Sequence, residues 1–149
     1  MNSGEALGYS SAPDRRKTIL IADDSEIMRA IIRQAIEQGT DFQVCAEAVD
    51  GIDAVSKAKD LSPDLILLDL RMPGLNGIEV AGIVRHALPK TRIVLVTMYA
   101  EDLQKLSLFR IDAVLAKADG LADLTACVTR LLADRHPETV IPPETLKAV

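Results

Sequence analysis

The chain has 149 residues, 22 acidic against 17 basic, a formal net charge of −5 and no tryptophan. That length suits one domain with a sizeable core, and with 48% hydrophobic but only 3% aromatic residues the core must be built from Ile, Leu, Val and Ala. No strong positive field exists to hold a phosphate backbone, which argues against nucleic-acid binding by this chain. Two His, and two Cys without a Cys-x-x-Cys pair, argue against zinc. No apolar run approaches the roughly 18 residues that span a bilayer. Cys45 and Cys127 lie in apolar patterns and read as small buried hydrophobes of a reducing compartment. With no apolar targeting segment either, the expected location is cytoplasmic, without membrane contact.

Residues 1–16 are small and polar and read as a disordered leader. The run Thr18–Ala22 predicts a first strand that stops at Asp23-Asp24. Ser25 is a plausible N-cap for a helix in which Ile27, Ile31 and Ala35, and likewise Met28, Ile32 and Ile36, recur every four residues up to Gly39. Phe42–Ala46 predicts a second strand. Asp50 then caps a helix patterned by Ile52, Val55 and Ala58 and closed by Pro63.

In the stretch Asp64–Leu68 a continuous apolar run, Leu65–Leu68, drives into Asp69, after which Met72, Pro73, Gly74, Asn76 and Gly77 force a turn. Such a run, closed by turn residues, predicts a strand buried on both faces of a parallel sheet. Ile78, Ala81, Gly82, Val84 and Leu88 predict a third helix before Pro89, and Arg92–Val96 a fourth strand ending at Thr97. A short helix over Ala100–Phe109, a weak strand over Asp112–Ala116 ending at Lys117, and a helix patterned by Leu121, Leu124, Val128, Leu131 and Leu132 complete the chain. The proline-containing stretch 135–149 reads as a tail. Five β-α units with short, right-handed connections predict an α/β fold, a doubly wound five-stranded parallel sheet with five helices. These elements, residues 17–134, form one domain.

The strands deliver Asp23, Asp24, Asp69, Thr97 and Lys117 to one edge of that sheet, where ligands of open parallel sheets bind. Taken singly, Asp69 and Asp23-Asp24 equally suit caps of the following turns, Thr97 a hydroxyl bonded to backbone, and Lys117 a solvated lysine. Together, three carboxylates repel one another and need a compensating cation. Hard oxygen donors with open positions suit Mg²⁺, and a hydroxyl and an ammonium beside it complete a cradle for a transferring phosphoryl group. The implied chemistry is attack by a carboxylate on phosphorus to give an acyl phosphate.

With Asp23-Asp24 after strand one, Asp69 in L-L-D-L-R-M-P-G-L-N-G, Thr97 in V-L-V-T-M-Y and Lys117 in A-V-L-A-K, the chain closely resembles the receiver domain of two-component response regulators over about Lys17–Asp134. The resemblance implies a flavodoxin-like (βα)5 fold with Asp69 as phosphoacceptor. It implies Mg²⁺ ligation by Asp24, Asp69 and the Arg71 backbone carbonyl, with Asp23 acting through water. Lys117 would pair with phosphoryl oxygens, and Thr97 would be the switch hydroxyl. The implied donor is a histidine kinase or histidine phosphotransfer protein. The chain would be a stoichiometric acceptor that assists its own phosphorylation and dephosphorylation, not a turnover enzyme.

Four positions depart from the family pattern or modulate it. Val114 stands where the family usually has an aromatic switch partner, and Ala118 where a proline usually follows the lysine. Arg71 and Tyr99 occupy positions that tune phosphoryl lifetime in the family, and their bulk predicts a long-lived acyl phosphate. The main expectation is a single-domain response regulator that signals by contact with a downstream protein, or by homodimerisation, through the face of Ala100–Phe109, strand five and the last helix. The competing expectations are a constitutive interaction module with phosphorylation decoupled from output, and an Mg²⁺-dependent phosphohydrolase with an aspartyl nucleophile. The second lacks the usual acid two residues after the nucleophile, because Arg71 stands there.

Overall fold

The computed structural model describes residues 15–98 and 111–133. The expected helix at Ala100–Phe109, Tyr99, residues 1–14 of the leader and the 135–149 tail lie outside the described residues. Five strands form one parallel sheet: β1 (Thr18–Ala22), β2 (Gln43–Ala48), β3 (Leu65–Asp69), β4 (Arg92–Thr97) and β5 (Ala113–Ala116). Their order is β2-β1-β3-β4-β5. Four α-helices are described: α1 (Glu26–Gly39), α2 (Gly51–Leu61), α3 (Gly77–Ala87) and α4 (Leu121–Leu131).

Doubly sided burial explains the apolar runs. Ile19 and Ile21 of β1, with Leu65 and Leu67 of β3 and Val94 and Val96 of β4, pack beneath Ile32 and Ile36 of α1 and Leu124, Cys127 and Val128 of α4. The alternate residues Leu20, Ile66, Leu68, Ile93 and Leu95 face the other way, against Ala54 and Ala58 of α2 and Val80, Ala81 and Val84 of α3. Every residue of β3 is buried, Asp69 included, because its side chains alternate between two covered faces.

The caps are local in origin. Ser25 Oγ accepts the Met28 N–H at 3.1 Å and Asp50 Oδ1 accepts the Asp53 N–H at 2.8 Å. Asn76 and Glu79 form a reciprocal capping box at the start of α3. Gly77 is required by close approach: a Cβ there would stand 2.5 Å from the Asp69 carbonyl oxygen and 2.9 Å from the Leu70 Cα.

Several expectations need correction. In α1 only the Met28-Ile32-Ile36 row faces the core; Ile27 and Ile31 are exposed, because one helix face meets the sheet and the neighbouring row points away. Ile52 is likewise exposed, and α2 packs through the small residues Gly51, Ala54 and Ala58, since a Cβ on Gly51 would collide with the Leu75 backbone. Cys45 is half-buried where Cys127 is buried; both are free thiols. Strand β2 runs on to Ala48, and its register against β1 shifts between Ile19 and Leu20, so that Cys45 falls between the paired residues. Leu121 of α4 is exposed.

Candidate functional site

The sheet order reverses between β1 and β3, which diverge into helices on opposite faces, and the crevice at that point opens at the carboxyl ends of the strands. A cavity of about 330 Å³ lies there, lined by Asp23, Asp24, Ser25, Met28, Asp69, Arg71, Thr97, Met98 and Lys117. The strand-end residues Asp23, Asp24, Asp69, Thr97 and Lys117 thus come together as the sequence predicts. Oxygens of Asp23, Asp24 and Asp69 lie within 4.8 Å of one another. Asp23 and Asp69 are buried and Asp24 faces solvent.

Lys117, at the end of β5, reaches across the mouth of the sheet. Its Nζ donates to Asp23 Oδ2 at 2.9 Å and lies 3.3 Å from Asp69 Oδ1. The other Asp23 oxygen accepts the Ser25 N–H at 2.9 Å, so both of its oxygens are engaged within the protein. Burial, joined by the charge of Asp23, pushes the Asp69 carboxyl up to about 6; Lys117 offsets this only in part, and Asp24 adds to the repulsion. Burial opposes the Lys117 ammonium, yet its hydrogen bond to Asp23 and the charges of Asp69 and Asp23 leave its pKa raised.

One ammonium therefore does not neutralise three acids. The donor set fits a hard divalent cation: three carboxylates in reach of one another, one of them facing the opening, and a net negative site.

Thr97 is buried at the end of β4 and lines the cavity; its register partner on β5 is Ala116. Val114 pairs with Leu95 and packs half-buried among the residues under α2 and α3. Arg71 is exposed at the cavity rim. The Lys117–Ala118 peptide is trans, and Lys117 opens a single 3₁₀ turn, Lys117–Asp119.

The site holds groups that the sequence did not single out. Met28 and Met98 form apolar parts of the lining, and the Ser25 backbone, expected only as a cap, also fixes Asp23. Arg29 donates from Nη1 to the Asp23 carbonyl at 2.7 Å and from Nε to Glu47 Oε1 at 2.9 Å. Arg29 and Arg33 stand four residues apart on α1, but their common partner, Glu47, lies on β2.

The sequence profile of the response regulator receiver domain matches residues 19–129. Among curated proteins, the chain is 39% identical over 89 residues to a protein-glutamate methylesterase/protein-glutamine glutaminase of Thermotoga maritima, covering 60% of this chain and 26% of that protein. It is 31% identical over 130 residues to the response regulator protein VraR of Staphylococcus epidermidis, covering 86% of this chain and 61% of that protein. The chain thus spans about a quarter of the length of the first relative and about three fifths of the second. Among solved structures, the response regulator TrrA of Thermotoga maritima, in complex with Mg²⁺ and BeF, superposes with a TM-score of 0.72 at 30% identity, over 78% of this chain and 99% of that one. No described helix is long and apolar enough to cross a membrane. Profile, fold and strand-end residues agree: this chain belongs to the response regulator receiver domain family.

Proposed function

We propose that this receiver, residues 17–134, accepts a phosphoryl group on Asp69 from a histidine kinase or a histidine phosphotransfer protein and signals through protein contact. The observation that carries the reading is the setting of Asp69. Its carboxylate ends a fully buried strand, 3.3 Å from an ammonium and within 4.8 Å of two further acids. In the proposed step an Asp69 oxygen attacks phosphorus, an acyl phosphate P–O bond forms, and the P–N bond of the donor phosphohistidine breaks with its electron pair leaving on the imidazole. Lys117 pairs with the phosphoryl oxygens, and the Thr97 hydroxyl donates a hydrogen bond to one of them.

Asp24 and Asp69, with the Arg71 backbone carbonyl, are the proposed direct holders of Mg²⁺, and Asp23, whose oxygens already accept from Ser25 and Lys117, acts through water. When bound, the ion supplies positive charge to the phosphoryl oxygens as negative charge shifts onto them. Water attack on phosphorus later returns Asp69 to the carboxylate, so each phosphorylation is a stoichiometric, reversible change. Arg71 at the rim, with Tyr99, is proposed to slow that attack; faster decay in Arg71→Asn is the expected result.

Output is proposed to run through the β5–α4 face to a downstream protein or a second copy of the chain. The net charge of −5 supports a protein partner over nucleic acid, and a cytoplasmic setting follows from a kinase donor. Transfer from a phosphohistidine protein carrying a radiolabelled phosphoryl group tests the proposal. Label should pass to the wild type within minutes and not to Asp69→Asn; equal labelling of the variant would overturn the assignment.

A second reading, a constitutive interaction module, is favoured by Val114, which offers no ring to follow a movement of Thr97. It predicts partner binding of equal strength with and without phosphorylation.

A further inference from the structure

Asp23 is held on every side. Its N–H donates to the Ala48 carbonyl of β2 at 3.1 Å, and its carboxylate oxygens accept from Ser25 and Lys117. Its carbonyl, which belongs to the peptide joining it to Asp24, accepts from Arg29 Nη1 at 2.7 Å. Arg29 is nearly buried, with a side chain 11% exposed, and its fork is fixed at the other end by Glu47. Glu47 is in turn held by Arg33 at 2.7 Å. Burial acts to raise the Glu47 pKa, but hydrogen bonds from Arg33 and Arg29 outweigh it and hold the carboxyl below its ordinary value.

A guanidinium locked at one end to a strand sets the plane of the peptide at its other end, because its donors diverge in a rigid fork. Here that peptide carries Asp24, the acid that faces the opening.

We propose that Arg29 is a positioning residue that aims the Asp24 carboxylate for the metal by fixing the Asp23–Asp24 peptide. The inference rests on the reading of Asp23, Asp24 and Asp69 as an Mg²⁺ site. Positioning and charge make opposite predictions. As a mere cation close to the acids, Arg29 would repel Mg²⁺, and its neutralisation would tighten binding. As a positioning group, its loss loosens Asp24 and weakens binding, by the 10- to 100-fold typical of outer partners of metal ligands.

The test is calorimetric titration of the unphosphorylated chain with Mg²⁺ alone, for wild type, Arg29→Gln, Arg29→Lys and Arg33→Gln. Arg29→Gln is expected to weaken binding about 10-fold or more. Arg29→Lys, which keeps the charge but loses the fork, should fall between it and wild type. Arg33→Gln, which also loses Glu47 but does not touch Asp23, should stay within about twofold, below the range of that outer-partner effect. If Arg29→Gln does not fold, the Lys variant decides. Unchanged or tighter binding in Arg29→Gln, with Arg29→Lys equal to wild type, would overturn the proposal while leaving the metal site standing. Absence of Mg²⁺ binding by the wild type would remove the site reading and the proposal together.

Discussion

Lys117 Nζ stands 2.9 Å from Asp23 Oδ2, a contact between residues 94 positions apart that ties the end of β5 to the end of β1 across the intervening strands β3 and β4. Because the same ammonium lies 3.3 Å from Asp69, it is the shared internal counterion of two buried acids. Removing one partner from a buried pair leaves uncompensated charge, which costs about 3–5 kcal/mol. Lys117→Met should therefore lower the urea-unfolding free energy by about 3 kcal/mol at pH 8 without metal. The loss should shrink at pH 5, where Asp69 takes up a proton.

The raised Asp69 pKa makes a second, oppositely signed prediction. Since about 6 in the folded protein exceeds the ordinary 3.8, the fold binds that proton more tightly than the unfolded chain does. The stability it contributes is fully present below about pH 4 and is lost as the pH rises through about 6. Asp69→Asn removes this penalty. In metal-free buffer the variant should be more stable than wild type by about 2–3 kcal/mol at pH 8, and close to it at pH 4, by denaturant unfolding.

The same proton competes with the metal, because a carboxylate must be deprotonated to ligate. Mg²⁺ affinity by calorimetry should be nearly constant from pH 7 to 8. Below about pH 6 it should fall by up to about tenfold per pH unit. A flat profile down to pH 5 would count Asp69 out as a ligand.

Gly77 supports the site from beneath. A Cβ there meets the Asp69 carbonyl oxygen at 2.5 Å and Leu95 Cδ2 at 3.0 Å, so Gly77→Ala must push the backbone of Asp69 or α3 aside. We expect about 1–3 kcal/mol of destabilisation, typical of overpacking, together with weaker Mg²⁺ binding. Gly82→Ala in the same helix, where a Cβ meets nothing within 4 Å, is the control and should be neutral or slightly stabilising.

The sheet and its polar edge were legible because both follow from short-range pattern. Leu65–Leu68, closed by turn residues, read as a strand covered on both sides, and Asp69, where that run ends, then fell at the mouth of the sheet. Asp23, Asp24, Thr97 and Lys117 were found by the same rule, each as the polar residue that stops an apolar run. What failed was the choice of helix face. Ile27 and Ile52 have the chemistry of core residues, but each stands on the outer side of its helix: the first helix meets the core through Met28, Ile32 and Ile36, and α2 through Ala54, Val55 and Ala58, with Gly51 close against Leu75 of the turn after β3. The Arg29 clamp was hidden for another reason. Its partners, the Asp23 carbonyl and Glu47, are brought together only by the pairing of β1 with β2, which leaves no local signal.

The central claim is that Asp69 becomes an acyl phosphate, and intact-mass spectrometry after incubation with acetyl phosphate and Mg²⁺ tests it most directly. The account predicts a gain of one phosphoryl group, about 80 Da, in the wild type. That gain should be absent from Asp69→Ala and lost when Mg²⁺ is chelated. An unchanged wild-type mass under those conditions and with phosphohistidine donors, or the same gain in Asp69→Ala, would contradict it.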